Sequence, residues 1–332
     1  MDPLTHTATG LLLSRAGLNR WTPGAAAMLM LAANAPDIDI VAAAGGSLNY
    51  LHYHRHLTHS LVAMPAMALL PVLVVRLIGR KPVNWLGAWC ASLIAVASHL
   101  LLDWTNSYGV RLLLPFSPRW LHLDWTNVID LWIWTGLGLC LLGPFLARLV
   151  GSEIASGAPS NRRHGRAAAW TALAFLLAYE GARATFHTRA VAIFDSRLYR
   201  QSAPLRTSAF PDAANPLRWR GVIETADFDA AADLDLAAEF DPSRAAIFLK
   251  PEPDPAIDAV RQSGIFRQFL AFAEIPLWRV SPAPDVDGGK LVEVFDLRFG
   301  TPLAPGPMAS TTVDGQQHLV HANFQWGLPR PR

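Results

Sequence analysis

The sequence predicts a helical membrane bundle followed by a soluble, β-rich domain. Three observations carry this. Apolar windows of bilayer length are confined to the first 190 or so residues; residues 1–188 hold 13 Arg or Lys and 8 Asp or Glu, against 15 and 18 in residues 189–332; and period-two alternation appears only after residue 188. At 52% hydrophobic and a mean hydropathy of +0.23, the 332-residue chain is apolar for a wholly soluble protein. A net charge of +2 without a concentrated basic stripe argues against a nucleic-acid-binding surface.

A bilayer core of about 30 Å needs about 20 apolar helical residues. In chain order, residues 4–18 have a helical pattern but are short, and 23–44 are Ala-rich but interrupted by "NAPDID". Four clearer spans follow: 59–79, uncharged until Arg76; 84–104, uncharged until Asp103; 127–147, with Asp130 alone; and 166–187, interrupted by Glu180 and Arg183. About six helices with four clear transmembrane spans therefore make up a membrane domain at 1–188. Cys90 and Cys140 lie inside apolar stretches and read as packing residues. "GAAAMLMLAA" followed by "ANA" also has the look of a secretory signal, but the first twenty residues are half apolar and too long for a basic leader.

Short cytoplasmic loops collect Lys and Arg. Arg15 and Arg20, then Arg76, Arg80 and Lys81, then Arg148, Arg162, Arg163 and Arg166 fall in alternate loops. That threading puts the opposite loops, with Arg55, Arg111 and Arg119, and the tail at 189–332 on the outer face of the membrane. The tail has Pro, Asp and Gly separating runs such as "LVEVFDLRF" and "HLVHANFQW", which read as half-buried strands. Its His318 and His321 read as surface residues.

Ionisable residues interrupting the apolar half gather at the outer ends of the segments: His6, Asp37, Asp39, His52, His54, His56, His59, His99, Asp103, Asp124 and Asp130. Such groups are costly beside lipid unless partnered, which marks them as functional candidates. His99 and Asp103, four apart, share one helix face; they suit either a chelating pair or a hydrogen-bonded pair closing the helix end. Pro36 breaks the helix before Asp37 and Asp39, whose carboxylates can converge from a turn, one of them as a ligand. In "HYHRHLTHS", Thr58 or Ser60 caps the next helix, with His59 at its mouth and His54 on the nearby loop. Neutral imidazoles with carboxylates form the ligand set of zinc and related divalent ions, and a mixed set suits a site with an open position.

"LTHTATG", "NAPDID", "HRHLTHS", "SHLLLDWTNSYGVRLLLPF" and "VIDLW" together resemble a bacterial family named as LexA-binding, inner membrane-associated metal-dependent hydrolases. The resemblance covers about residues 1–190. The family in turn looks distantly similar to the zinc-dependent phospholipase C and single-strand nuclease superfamily. It implies His6, Asp39, His59, His99 and Asp103 as metal ligands, Asp103 bridging, with His54 and Asp37 fitting the smaller family's pattern. The additional histidines and Glu of the superfamily's third zinc are missing from "WTNSYGVRLLLPF", which implies two ions at most. The expectation is a membrane-bound hydrolase of a lipid or lipid-linked phosphoester, with a divalent metal, zinc in the first instance, as cofactor and Asp37 or Asp130 as general base or orienting carboxylate. Arg55, Arg111 or Arg119 would hold phosphate, or meet lipid headgroups, and Trp104, Trp120 and Trp125 would form an interfacial belt. The competing expectation is a non-catalytic membrane protein in which a structural metal or a His and Asp network ties helix ends together.

Overall fold

The computed structural model describes residues 1–79, 82–154 and 162–326; Arg80 and Lys81, counted in the charge asymmetry above, lie outside them. The chain divides into two compact units. The first comprises Met1–Asp39, Arg55–His187 and Pro211–Pro216; the second comprises Ile40–His54, Thr188–Phe210 and Leu217–Arg332.

The first unit is helical. α1 (Pro3–Ala16) starts at Asp2, whose carboxylate accepts from the backbone N–H of Leu4 and Thr5, so the helix has a conventional acidic N-cap. Trp134 Nε1 donates to the other Asp2 oxygen at 3.0 Å, tying this end of α1 to α6 (Leu131–Ile154). α2 (Ala25–Ala32) packs on α1 through Gly10, where a Cβ would stand 2.4 Å from the Leu29 carbonyl oxygen. Only glycine permits that approach. The 3₁₀ segment Pro36–Gly45 follows α2 and carries Asp37 and Asp39 in its first turn.

α4 (Met64–Gly79) and α5 (Trp85–Thr105) complete the core. Met28, Leu29, Ala32, Ala68, Val72, Ala88, Ala91, Ala95 and Val96 are buried together. The small residues along α5 allow close helix packing while its Ile94 and Leu101 remain exposed. α7 (Arg162–Asp195) contributes Ala169, Ala172 and Leu176 to a second cluster with Leu12, Leu102, Ile133 and Leu137.

Among the described residues, α5 alone is long and apolar enough to cross a membrane, and three spans result if two bent helix pairs each count as one. The expected window at 84–104 is this helix. The window at 59–79 becomes the 16-residue α4 with Pro71 inside it, which reaches span length only together with Ser47–His59. The window at 127–147 starts as a shorter apolar helix, Leu131–Gly143. That at 166–187 falls within α7, where Glu180 and Arg183 are buried inside the protein.

The second unit is β-rich, as alternation predicts. β1 (Arg206–Pro211), β2 (Arg218–Glu224), β3 (Phe228–Asp235) and β4 (Ala246–Leu249) form one antiparallel sheet in sequence order; β5 (Pro276–Pro282), β6 (Lys290–Asp296), β7 (Pro307–Val313) and β8 (Leu319–Trp326) form another. Phe210, Val222, Ile275, Leu277 and Leu297 are buried together from both halves. Two short helices, α8 (Pro255–Arg261) and α9 (Gly264–Leu270), join the sheets. α3 (Ser47–Tyr53), from the N-terminal half of the sequence, packs on α9 and β8, where Tyr50 meets Trp326 edge-on at 6.2 Å.

Candidate metal centre

Four side chains of the helical unit converge: Asp37 from the turn after α2, His59 from the short 3₁₀ helix Leu57–His59, and His99 and Asp103 from α5. One ligand atom from each lies within 4.8 Å of all the others. The i, i+4 spacing on α5 gives His99 Nε2 to Asp103 Oδ2 at 3.3 Å. His59 Nε2 lies 3.3 Å from Asp37 Oδ1 and 3.5 Å from Asp103 Oδ2. His59, His99 and Asp103 are fully buried.

What lies behind the rings decides their chemistry. His99 Nδ1 is 2.7 Å from the Ala33 carbonyl oxygen, which can only accept, so Nδ1 holds the proton and Nε2 presents a lone pair inward. His59 Nδ1 is 3.1 Å from Asp39 Oδ2, a carboxylate oxygen that also receives the Thr58 hydroxyl at 3.0 Å and the Arg55 backbone N–H at 2.9 Å. Its Nε2 likewise points inward. The two Nε2 atoms thus face one another at 3.1 Å, each an acceptor when the rings are neutral. Asp103 Oδ2, buried in the same space, has no hydrogen-bond partner. An arrangement of acceptors facing acceptors inside a protein is costly unless a cation, a metal ion or a proton held between the rings, sits among them. This buried His and Asp group could hold a metal ion.

One of Asp37 and Asp39 is expected as a ligand, Asp39 by the family resemblance, and the two face different ways. Asp37 joins the inward-facing atoms, and Asp39 orients His59 from behind. The 3₁₀ turn explains it, since residues two apart there point in different directions. His6 stacks on His99 with ring centroids 3.8 Å apart and approaches Asp103 Oδ1 at 3.5 Å. Both of its ring nitrogens are buried without a hydrogen-bond partner. His54 ends α3 with its ring stacked on Tyr50, 4.5 Å between centroids, in the stretch that clusters with the β-rich unit. Asp130 caps α6: its Oδ1 accepts from the backbone N–H of Trp132 and Ile133, and the Tyr179 hydroxyl donates to it. It is not among the converging four.

Arg55 has a larger part than its sequence setting suggests. Its guanidinium is buried, 3.0 Å from Asp103 Oδ1, donating to Asn106 Oδ1 at 3.0 Å and the Gly109 carbonyl at 2.9 Å, over the Tyr108 ring. Its backbone adopts a positive φ of 54°, unusual for a non-glycine residue and typical of constrained sites. The terminal amine of Met1 also lies on Asp103 Oδ1. Asn106, three residues after Asp103 and the cap just beyond α5, was missed by sequence reasoning; its place directly after "HLLLDWT" was the available signal. Thr58 bonds Asp39 rather than capping α4, and Ser60 accepts the Ala63 N–H. Arg111 is buried with its guanidinium 4.4 Å from the Trp120 ring centroid, so Trp120 is an interior residue and not part of a belt, and Arg119 alone of the three expected phosphate contacts is exposed.

Residues 1–190 match the family model described as YdjM inner membrane protein. The chain belongs to this family of inner membrane proteins. A curated relative, the uncharacterized protein YfhP of Bacillus subtilis (strain 168), is 31% identical over 138 residues, which is 39% of this chain and 42% of that protein, so the match spans less than half the length of the relative. No solved structure matches.

Proposed function

We propose that the protein is a membrane-bound, metal-dependent phosphoesterase acting on a lipid or lipid-linked substrate at the periplasmic face of the inner membrane. The observation that carries the metal is the pair of inward-facing imidazole acceptors at 3.1 Å beside an unpartnered buried carboxylate oxygen. In this reading Asp37, His59, His99 and Asp103 are the ligands, a mixed nitrogen and oxygen set suited to zinc. Asp39 and the Ala33 carbonyl fix the ring tautomers from behind.

Arg55 bears on the number of ions. Its charge on Asp103 Oδ1 neutralises the oxygen that would bridge to a second ion, so one ion beside Oδ2 is the economical occupancy. His6, next to Oδ1, then serves as an additional ligand or as a group that meets substrate. When bound, a divalent ion supplies Lewis acidity, polarising a phosphoryl oxygen and making water a competent nucleophile near neutral pH. The protein's own share is to hold the ligands in a dry pocket and to keep Arg55 fixed where phosphate charge develops.

Family membership and the apolar first half support a membrane location, and the Lys and Arg distribution supports a periplasmic tail. The test is to purify the full chain in detergent, count bound metal by elemental analysis, and assay a chromogenic phosphodiester before and after chelation. The expected result is about one divalent ion per chain and hydrolysis that chelation removes and metal restores. No uptake of zinc or manganese overturns the reading. Metal retained without hydrolysis of any ester selects the non-catalytic alternative, in which the ion ties helix ends together.

A further inference from the structure

The helical unit contains a groove of about 1010 Å³ that the metal centre does not use. It runs between α1, α5 and α7. Its walls are almost wholly apolar, with Leu13, Ile94, Leu101, Leu173 and Leu177 along its length. Ile94 and Thr105 both line it, eleven positions apart on α5, about 16 Å of helix axis. In a membrane protein such a surface meets hydrocarbon. One of its ends, however, is not suited to hydrocarbon alone.

At that end lies Glu180, a lining residue only 9% exposed. Its Oε1 receives the Thr105 hydroxyl at 3.2 Å, while Oε2 is buried without a hydrogen-bond partner. A buried carboxylate oxygen at the head of an apolar channel calls for a donor, and leaving it unsatisfied is costly. Thr105 follows Asp103 by two residues on α5, a rise of about 3 Å, so the carboxylate stands near the level of the metal centre along the helix axis, on another face of the helix. At the other end are Trp21, Trp170 and the exposed Arg20 and Arg166, the residues of an interface.

We infer that this groove holds the alkyl chain of a long-chain alcohol, with the hydroxyl donating to Glu180. The inference rests on the phosphoester reading above and names the alcohol that such hydrolysis releases as a long-chain one. In hydrolysis, the oxygen of water bonds to phosphorus, the bond from phosphorus to the lipid oxygen breaks, and that oxygen takes a proton. The products are phosphate, or its monoester, and the alcohol. An anionic head is disfavoured beside Glu180, whereas a hydroxyl is matched to it, so the groove discriminates for the released alcohol portion.

The experiment uses the full chain in detergent with chelator present, and a long-chain primary alcohol carrying a photoreactive diazirine next to its hydroxyl end. The expected labels fall on Trp104, Leu123 or Trp125, and excess unlabelled alcohol competes them away. Glu180→Leu, which keeps the groove apolar but removes the acceptor, should lower head-end labelling about tenfold, as expected for loss of a buried hydrogen bond. Ser98→Phe, filling the middle of the groove, should remove competable labelling. Labelling that excess alcohol does not compete, or that Glu180→Leu leaves unchanged, overturns the inference. The assay needs no metal, so the two readings fail separately: competable labelling in a chain that never binds metal keeps the groove and ends the phosphoester reading. Metal-dependent hydrolysis without competable labelling does the reverse.

Discussion

The helical unit and the β-rich unit both bury charged groups, but they treat them in opposite ways. In the β-rich unit, Arg298 is buried between Phe272 and Phe299; its Nε donates to Asp296 Oδ2 at 2.8 Å and its terminal nitrogen to the Phe272 carbonyl at 2.7 Å. Opposite charges meet there, so the buried Asp296 carboxylate is neutralised by a neighbouring side chain of the same unit. In the helical unit, the Nε2 atoms of His59 and His99 face each other, Asp103 Oδ2 has no donor and neither nitrogen of His6 is bonded. Burial by itself therefore does not distinguish a structural charge from a functional one. Complementarity does, because a site shaped for a ligand is incomplete without it.

That contrast can be broken by substitution. The largest effect should come from the converging ligands: His99→Ala and Asp103→Asn should abolish stoichiometric metal binding, read by elemental analysis after gel filtration, and any chelator-sensitive hydrolysis with it. A variant that keeps its metal would show that the acceptors serve some other purpose. Next, Arg298→Met should destabilise the β-rich unit by about 3–5 kcal/mol, since it strands a buried carboxylate. Metal content should stay unchanged, and a drop in metal would mean that the comparison is drawn in the wrong place.

Asp39→Asn tests the layer behind the ligands. The amide can still accept from the His59 ring but carries no charge, so metal affinity should fall about 10–100-fold, as is usual for outer-shell partners. Titration with zinc against a competing chelator measures it. Asp37→Asn should have the larger effect of the two if Asp37 is the ligand and Asp39 the orienting group. The reverse order would make Asp39 the ligand, as the family resemblance implies.

Much of this was legible before any coordinates. The outer ends of the apolar windows name every converging residue, because ionisable groups beside lipid are rare without a purpose, and "HLLLD" states the His99 and Asp103 pairing through helical spacing alone. The β-rich tail follows from short apolar runs broken by Pro, Asp and Gly such as "LVEVFDLRF", whose first six residues lie in β6, although Val292 to Asp296 are buried throughout and not on alternate residues. Less was legible where local sequence leaves geometry open. "PDID" places two carboxylates two residues apart, and only the 3₁₀ turn decides which faces inward. Arg55 reads as a loop charge between histidines, yet its side chain reaches Asp103, Asn106 and Gly109, some fifty residues away. The window at 59–79 looks like a span because hydropathy does not register that Ser60 to Ala63 form turns before α4 begins. Glu180 appears only as an interruption of an apolar window, since an unpartnered oxygen is a property of the folded surroundings.

His6 offers a sharper version of the comparison. If the buried imidazole is kept for a ligand and not for the fold, then removing its nitrogens should help the metal-free protein. His6→Phe retains a flat ring against His99 and removes two unsatisfied polar atoms, so stability in chelator should rise by about 1 kcal/mol, measured by thermal unfolding in one detergent. Metal-dependent hydrolysis should fall in the same variant. A destabilised metal-free variant would instead give His6 a structural role like that of Arg298.

The smallest expected effect separates distance from burial. Lys290 Nζ and Asp254 Oδ2 are 2.7 Å apart, closer than the Arg55 and Asp103 pair at 3.0 Å. Lys290 is 43% exposed, however, and the hydrogen bond from it holds the Asp254 carboxyl below the usual carboxylate range. A carboxylate with a depressed folded pKa adds stability above its unfolded value of about 4, and that addition is lost as pH falls through the folded value. Water and salt screen an exposed pair, so Lys290→Ala should cost under about 1 kcal/mol at neutral pH, less in high salt, and nothing in strong acid. Thermal unfolding across pH and salt reads this directly. A cost as large as that of Arg298→Met would show that contact distance outweighs desolvation in this protein, and the argument from buried, unpartnered acceptors to a metal centre would lose its physical basis.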